Sequence, residues 1–158
     1  MRSAVHTLLR PMNKFVRSAQ RGQALVEFSL AVIPFLILLM AIFDLGRGIY
    51  MMNGTSEAAR EISRVTIVHP DDGSGNLGFS ADTTAVIATQ RNLIPGLEID
   101  PATDITCVDA LDQPVVGTCT PKVHYIKVHV TAPFEPITPL VSAFGSHTFE
   151  STSRMLIP

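Results

Sequence analysis

The chain has 158 residues, which leaves room for one membrane segment and at most one small domain. Hydrophobic residues make up 46% and the mean hydropathy is positive, at +0.29, with the surplus gathered in residues 24–52. The net charge of −2 hides a split: residues 1–22 carry Arg2, Arg10, Lys14, Arg17 and Arg21 without an acid, whereas residues 23–158 carry seven basic and fourteen acidic side chains. That pattern argues against a nucleic-acid partner, because the basic stretch runs straight into an apolar segment and marks its cytoplasmic side.

From Phe28 to Phe43 there are sixteen residues without a charge, and Ala24, Leu25 and Val26 extend the run to the ~20 residues that cross a bilayer as helix. Residues 1–22 read as a basic cytoplasmic leader, residues 23–45 as a transmembrane helix and residues 46–158 as the extracytoplasmic part. An ordinary secretory signal does not fit, since the apolar run is too long and no small-residue cleavage site follows it. Glu27 interrupts the run. An acid at the centre of a spanning helix costs roughly 2.5–3.5 kcal/mol on insertion scales, and less near an end, so Glu27 is a candidate functional residue with an expected partner. Gly22 marks the polar-to-apolar boundary, and a cut after it would leave Gln23 as a new N-terminus with Glu27 fifth in the mature chain. Pro34 lies inside the run, where it removes one helical hydrogen bond.

Beyond Phe43 the pattern stays helical but becomes amphipathic. Leu45, Ile49, Met52, Ser56, Ala59, Ile62 and Val65 recur at three- and four-residue steps, the spacing of one helix face. One helix is therefore expected from about residue 24 to 67, with Asp44, Gly46 and Gly48 marking a hinge, a close approach or simple tolerance near its exit from the membrane. It stops at His69-Pro70. The following Asp71-Asp72-Gly73-Ser74-Gly75-Asn76 is a loop, and its glycines fall where a calcium loop needs oxygen-bearing side chains.

A second helix is expected from about Asp82 to Leu93, capped by Ser80 or Asp82 and ended by Pro95-Gly96, with Val86, Ile87, Leu93 and Ile94 facing a core. Short alternating pieces at 97–100 and 105–108 precede a stronger strand from Val123 to Val130, which puts Ile126, Val128 and Val130 on one face. A last strand is expected from Thr148 to Leu156, after a helical turn near Leu140. Cys107 and Cys119 both fall in the exported part, where a disulfide persists. A zinc site is the alternative, though two cysteines without well-spaced histidines suit a four-ligand shell poorly. The fold class is thus α+β: a single-pass membrane protein whose long N-terminal helix continues from the membrane and packs on a small antiparallel sheet.

Arg21-Gly22-Gln23-Ala24-Leu25-Val26-Glu27-Phe28 resembles the G-x4-E processing site of type IV prepilin-like proteins. Together with Asp44-Leu45-Gly46-Arg47, Ala58-Ala59-Arg60-Glu61, residues 133–140 and Ser151-Thr152-Ser153-Arg154-Met155, the chain resembles the TadE-like family of the tight-adherence (Flp pilus) system. The resemblance implies a pilin-like minor pseudopilin that helps assemble type IVb pili. It implies cleavage by the Tad-system prepilin peptidase between Gly22 and Gln23, and use of Glu27 to set subunit register. The implied partners are that peptidase, other Tad pilus and inner-membrane assembly proteins, and the lipid bilayer. The implied location is the bacterial inner membrane, with the N-terminus cytoplasmic and a TadE-like domain at 46–158 periplasmic or carried into the pilus.

The competing expectation is an uncleaved single-pass anchor holding a periplasmic binding module. An enzyme is not expected: no nucleophile elbow or glycine-rich phosphate loop is present, and His124 and His129 fall on opposite faces of their strand. No catalytic residue, cofactor, metal or small-molecule substrate is assigned.

Overall fold

The computed structural model describes residues 13–71, 73–115, 118–138, 142 and 145–158. Residues 1–12 of the basic leader and the helical turn expected near Leu140 lie outside them. The chain divides into two compact units, Met1–Ile42 and Phe43–Pro158.

The first unit is built on helix α1, which runs from Asn13 to Val68 and so continues into the second. Its hydrogen-bonded backbone is the form a spanning segment must take, since hydrocarbon offers no partner for a free N–H or C=O. Pro34 sits inside α1 without ending it. From Gly22 to Ile42 nearly every side chain is exposed, the large apolar ones included, and the segment is long and apolar enough to cross a membrane.

The second unit is α+β. The part of α1 from Phe43 onward is joined by α2 (Ala81–Leu93), a short α3 (Pro101–Asp104) and a three-stranded antiparallel sheet of β1 (Ile105–Val108), β2 (Tyr125–Phe134) and β3 (His147–Leu156). The order is β1-β2-β3, with Ile105 opposite Val128, and with Tyr125 opposite Leu156 and Phe134 opposite His147 at the two ends of the longer pair. Strand β2 alternates as the sequence predicts. Ile126, Val128, Val130, Ala132 and Phe134 point inward and meet Met51, Ala58, Ala59 and Ile62 of α1 and Ile87 of α2 in one core. Burying each aliphatic or aromatic side chain of this kind contributes about 1.5–3 kcal/mol. Pro133 is tolerated in the central strand because β1 pairs with β2 no further than Val128, so its missing N–H breaks no ladder.

Helix α2 begins where its cap predicts: Ser80 Oγ accepts the Thr83 amide at 3.1 Å. Ile87 and Ile94 are buried as expected, but Leu93 is 56% exposed, because the helix ends there and the chain turns Ile94 inward instead. At 97–100 the expected strand reduces to a bridge between Glu98 and Thr131, and α3 follows, capped by Asp100. The inward face of α1 is also displaced from the apolar stripe. Ala59 and Ile62 are buried, whereas Leu45, Ile49 and Met52 are 64%, 51% and 54% exposed. Asp44, Met51, Thr55, Ala58, Ser63 and Thr66 face inward in their place. The hydroxyls on this face are accommodated within the helix itself, since Thr55, Ser63 and Thr66 donate to the carbonyls of Met51, Ala59 and Ile62 at 2.7–2.8 Å.

Candidate functional site

Two places in α1 carry the polar groups that an apolar helix has to account for. The first is Gly22, Gln23 and Glu27. All three are exposed and helical, so the expected processing bond lies inside a continuous helix rather than at its end. A side chain at Gly22 would meet nothing within 4 Å, so neither packing nor backbone geometry demands a glycine there. Gln23 Nε2 donates to Glu27 Oε1 at 3.1 Å, one turn further on. The Glu27 carboxylate therefore has a partner in its own helix, and the residue that would become the mature terminus supplies it.

The second place is Asp44, the next acid after Glu27. It opens the second unit and is only 4% exposed. Its two oxygens accept backbone N–H groups from the loop that follows β2, Ile137 at 3.2 Å and Thr138 at 2.7 Å, and Arg47 Nη1 lies 3.2 Å away. Arg47 also reaches Glu135 O at 3.5 Å and lies 5.4 Å over the Phe134 ring. Gly48 leaves room for that ring and for Phe149, which a Cβ would meet at 3.7–3.8 Å; Gly46 has nothing near it. Of the two glycines flagged at the exit, one is thus a close approach and the other plain tolerance. Sequence reasoning noted Asp44 but not its role. The available signal was an isolated acid at the end of an uncharged run with an arginine three residues on; the 137–138 backbone has no signature in sequence.

Elsewhere the polar side chains fix loops. Asp71 Oδ1 accepts the Gly73 amide at 2.9 Å, which makes the acidic loop an ordinary turn. Cys107 of β1 and Cys119 are joined as a disulfide with their Cα atoms 6.0 Å apart. It ties β1 to the connection that leads into β2, beside an open depression of about 350 Å³ lined by Pro70, Asp71, Gly75, Leu77 and Thr118. At the same end of the sheet Lys127 and Arg154 flank Asp112, and the hydrogen bond from Lys127 holds the Asp112 carboxyl below its usual range. His124 Nδ1 accepts the Thr120 amide at 2.9 Å, and His129 Nδ1 lies 3.1 Å from Thr152 Oγ1. Among the described residues no three His, Cys, Asp or Glu side chains are grouped to hold a metal.

Comparison with known proteins gives one finding. Residues 22–64, which contain both the Gly22–Glu27 turn and the Asp44–Arg47 pair, match the family model described as TadE-like protein. No curated protein and no solved structure matches the chain.

Proposed function

From a TadE-like segment at 22–64, which associates the chain with the Tad pilus, we propose that it acts as a membrane-anchored minor pseudopilin processed after Gly22. The observation that carries this reading is the placement of Gly22, Gln23 and Glu27. They occupy the first residues of the family match, at the start of the apolar segment, with the Glu27 carboxylate already bonded to Gln23. The TadE-like family is structural rather than enzymatic, and one long apolar N-terminal helix fits a single-pass anchor.

Each residue has a physical role in this reading. Gly22 is the least favourable residue of its turn, about 0.8–1 kcal/mol worse than alanine in a helix, so the helix opens most readily where a peptidase must reach the backbone. Cleavage between Gly22 and Gln23 frees an α-amine. The Glu27 carboxylate of a neighbouring subunit then pairs with that amine at low dielectric and fixes axial register, a use of a buried ion pair for specificity rather than for stability. The basic leader stays cytoplasmic and the Phe43–Pro158 unit lies outside, where its disulfide persists. In this reading the side chains of the deep hydrocarbon span close at Phe43, since Asp44 is engaged by the 137–138 backbone of the outer unit. The outer unit is the surface offered to other Tad pilus and inner-membrane assembly proteins.

The test is intact mass and N-terminal sequencing of the protein from membranes, with and without the host's prepilin peptidase. A chain that starts at Gln23 only when the peptidase is active is the expected result. A chain that keeps residues 1–22 in the presence of active peptidase overturns the processing claim, and leaves an uncleaved anchor with an outer binding module as the better account.

A further inference from the structure

Between Phe43 and Ser56 the sequence contains two charged side chains, Asp44 and Arg47; the fold buries the first and turns the second, still 41% exposed, towards it. Asp44 is buried under the 137–138 loop, and Arg47 turns towards Asp44, Glu135 O and the Phe134 ring. What remains outward carries no charge and, Asn53 apart, its exposed large side chains are apolar. Phe43, Leu45, Ile49, Tyr50 and Met52 are each more than half exposed. Leu45, Ile49 and Met52 form one stripe at four- and three-residue steps, while Phe43 and Tyr50 lie on the opposite flank of the buried face. Ile137, whose amide is bonded to Asp44, adds a sixth apolar side chain, 67% exposed, at the same end of the unit.

We propose that this collar is a lipid-contacting surface, with residues 43–52 of α1 and Ile137 set in the headgroup and upper acyl layer of the leaflet from which the outer unit emerges. Three observations select lipid over a protein partner. The collar continues directly from the apolar segment on the same helix. It is apolar on both flanks of the buried face, whereas a docked helix covers a single stripe. Its length also fits. The stretch from Phe28 to Ser56 holds no charge besides the mutually paired Asp44 and Arg47 and ends at Glu57, Arg60 and Glu61. Residues 28–56 of helix rise about 43 Å, against a bilayer of about 30 Å of hydrocarbon and 40–45 Å with its headgroups. Tyr50, whose hydroxyl donates to Leu93 O at 3.2 Å while its ring stays more than half exposed, falls at the level where amphipathic rings concentrate. The inward turn of Asp44 and Arg47 then has a use, because it keeps the one acid of this stretch out of the lipid.

The inference rests on the membrane-anchor reading, and the sequence supplies a clean way to separate the two, since the chain has no tryptophan. Single Trp variants of the full chain, Ile49→Trp, Ile137→Trp, Leu38→Trp and Leu111→Trp, are reconstituted in phosphatidylcholine vesicles containing lipid brominated at either a shallow or a deep acyl position. Leu38 lies within the apolar segment, and Leu111 is exposed beyond the Val108–Tyr125 end of the sheet, opposite the Phe134 end that faces Arg47. Expected is blue-shifted emission from Ile49→Trp and Ile137→Trp with loss of intensity mainly to the shallow bromines, from Leu38→Trp loss mainly to the deep ones, and from Leu111→Trp water-like emission lost to iodide. Water-like, iodide-quenched emission at 49 and 137 beside a lipid-quenched Leu38→Trp overturns the collar and leaves the anchor standing. Blue-shifted emission at 49 that bromolipid does not quench also overturns it, by showing a protein cover. An unquenched Leu38→Trp removes the anchor and the collar together.

Discussion

Ile62 is the largest fully buried side chain that α1 contributes to the core it shares with the sheet, and its truncation measures that link. It is fully buried and shares a core with Ile126, Val128 and Val130 of β2 and Ile87 of α2. Ile62→Ala removes three carbons, about 2.4 kcal/mol of transfer free energy at ~0.8 kcal/mol per methylene. A cavity term is added, because α1, α2 and the sheet close on Ile62 from different directions and cannot all relax, so the total falls in the 2–5 kcal/mol range of such substitutions. At ~1.4 kcal/mol per tenfold, amide exchange in the peptide spanning Tyr125–Phe134 should accelerate about 30- to 4,000-fold for the full chain in detergent micelles. Ile62→Val should cost about 0.5–1.5 kcal/mol, and Ile49→Ala, at an exposed site of the same helix, within about 0.5 kcal/mol. Exchange in β2 that responds no more to Ile62→Ala than to Ile49→Ala would falsify the packing of the sheet on α1.

Gly78→Ala places a Cβ 2.8 Å from Ile105 Cδ1 at a position with φ of +80°. Strain alone costs about 1–2 kcal/mol there, so this variant should melt well below the wild type, whereas Gly46→Ala, with nothing within 4 Å, should not. Hydrogen bonding from Thr138, then the Ile137 amide and Arg47, outweighs burial and holds Asp44 at about 2, down from the usual 3.8. A carboxylate with a depressed folded-state pKa contributes stability that is present above its unfolded value and lost as pH falls. Amide exchange at Ile137 and Thr138, corrected for its intrinsic pH dependence, should therefore accelerate between about pH 4 and pH 2, and Asp44→Asn should show faster exchange there already at neutral pH with a flatter profile. Reduction of Cys107–Cys119, or the double Ser variant, releases a closed loop worth about 3 kcal/mol in the chain-entropy model. It should speed exchange in β1 and in residues 118–122; unchanged exchange would show that this connection is held by its hydrogen bonds alone.

The elements visible in the sequence are those whose signal is local and periodic. Strand β2 alternates and α2 has a serine cap and a Pro-Gly stop, and both appear within a few residues of their expected bounds; α1 ends where expected but begins at Asn13, eleven residues before its expected start, because the polar leader has no apolar period to mark it as helix. The Gln23–Glu27 bond is equally local, a one-turn step along a helix. The rotation of the inward face of α1 was not legible, because an apolar stripe looks the same whether it meets a core or a membrane. Leu45, Ile49 and Met52 belong to the pattern and not to the core. Asp44 shows the other limit: its partners are backbone amides more than ninety positions away, and backbone amides are common to every residue but proline. Helix α3 escaped notice for a simpler reason, since four residues with one proline leave no period to detect.

The three back-bonded hydroxyls of α1 bear on the order in which the outer unit is made. Thr55, Ser63 and Thr66 leave the ribosome long before β2 does, and each finds its acceptor four residues earlier on the same helix. Among the described residues, Thr66 alone of the three is also hydrogen-bonded to another element, with its Oγ1 3.3 Å from Thr83 Oγ1. So when the strands arrive, Thr55 and Ser63 need shed no protein partner to receive them. A helix finished early can serve as the template on which the later half of the chain condenses.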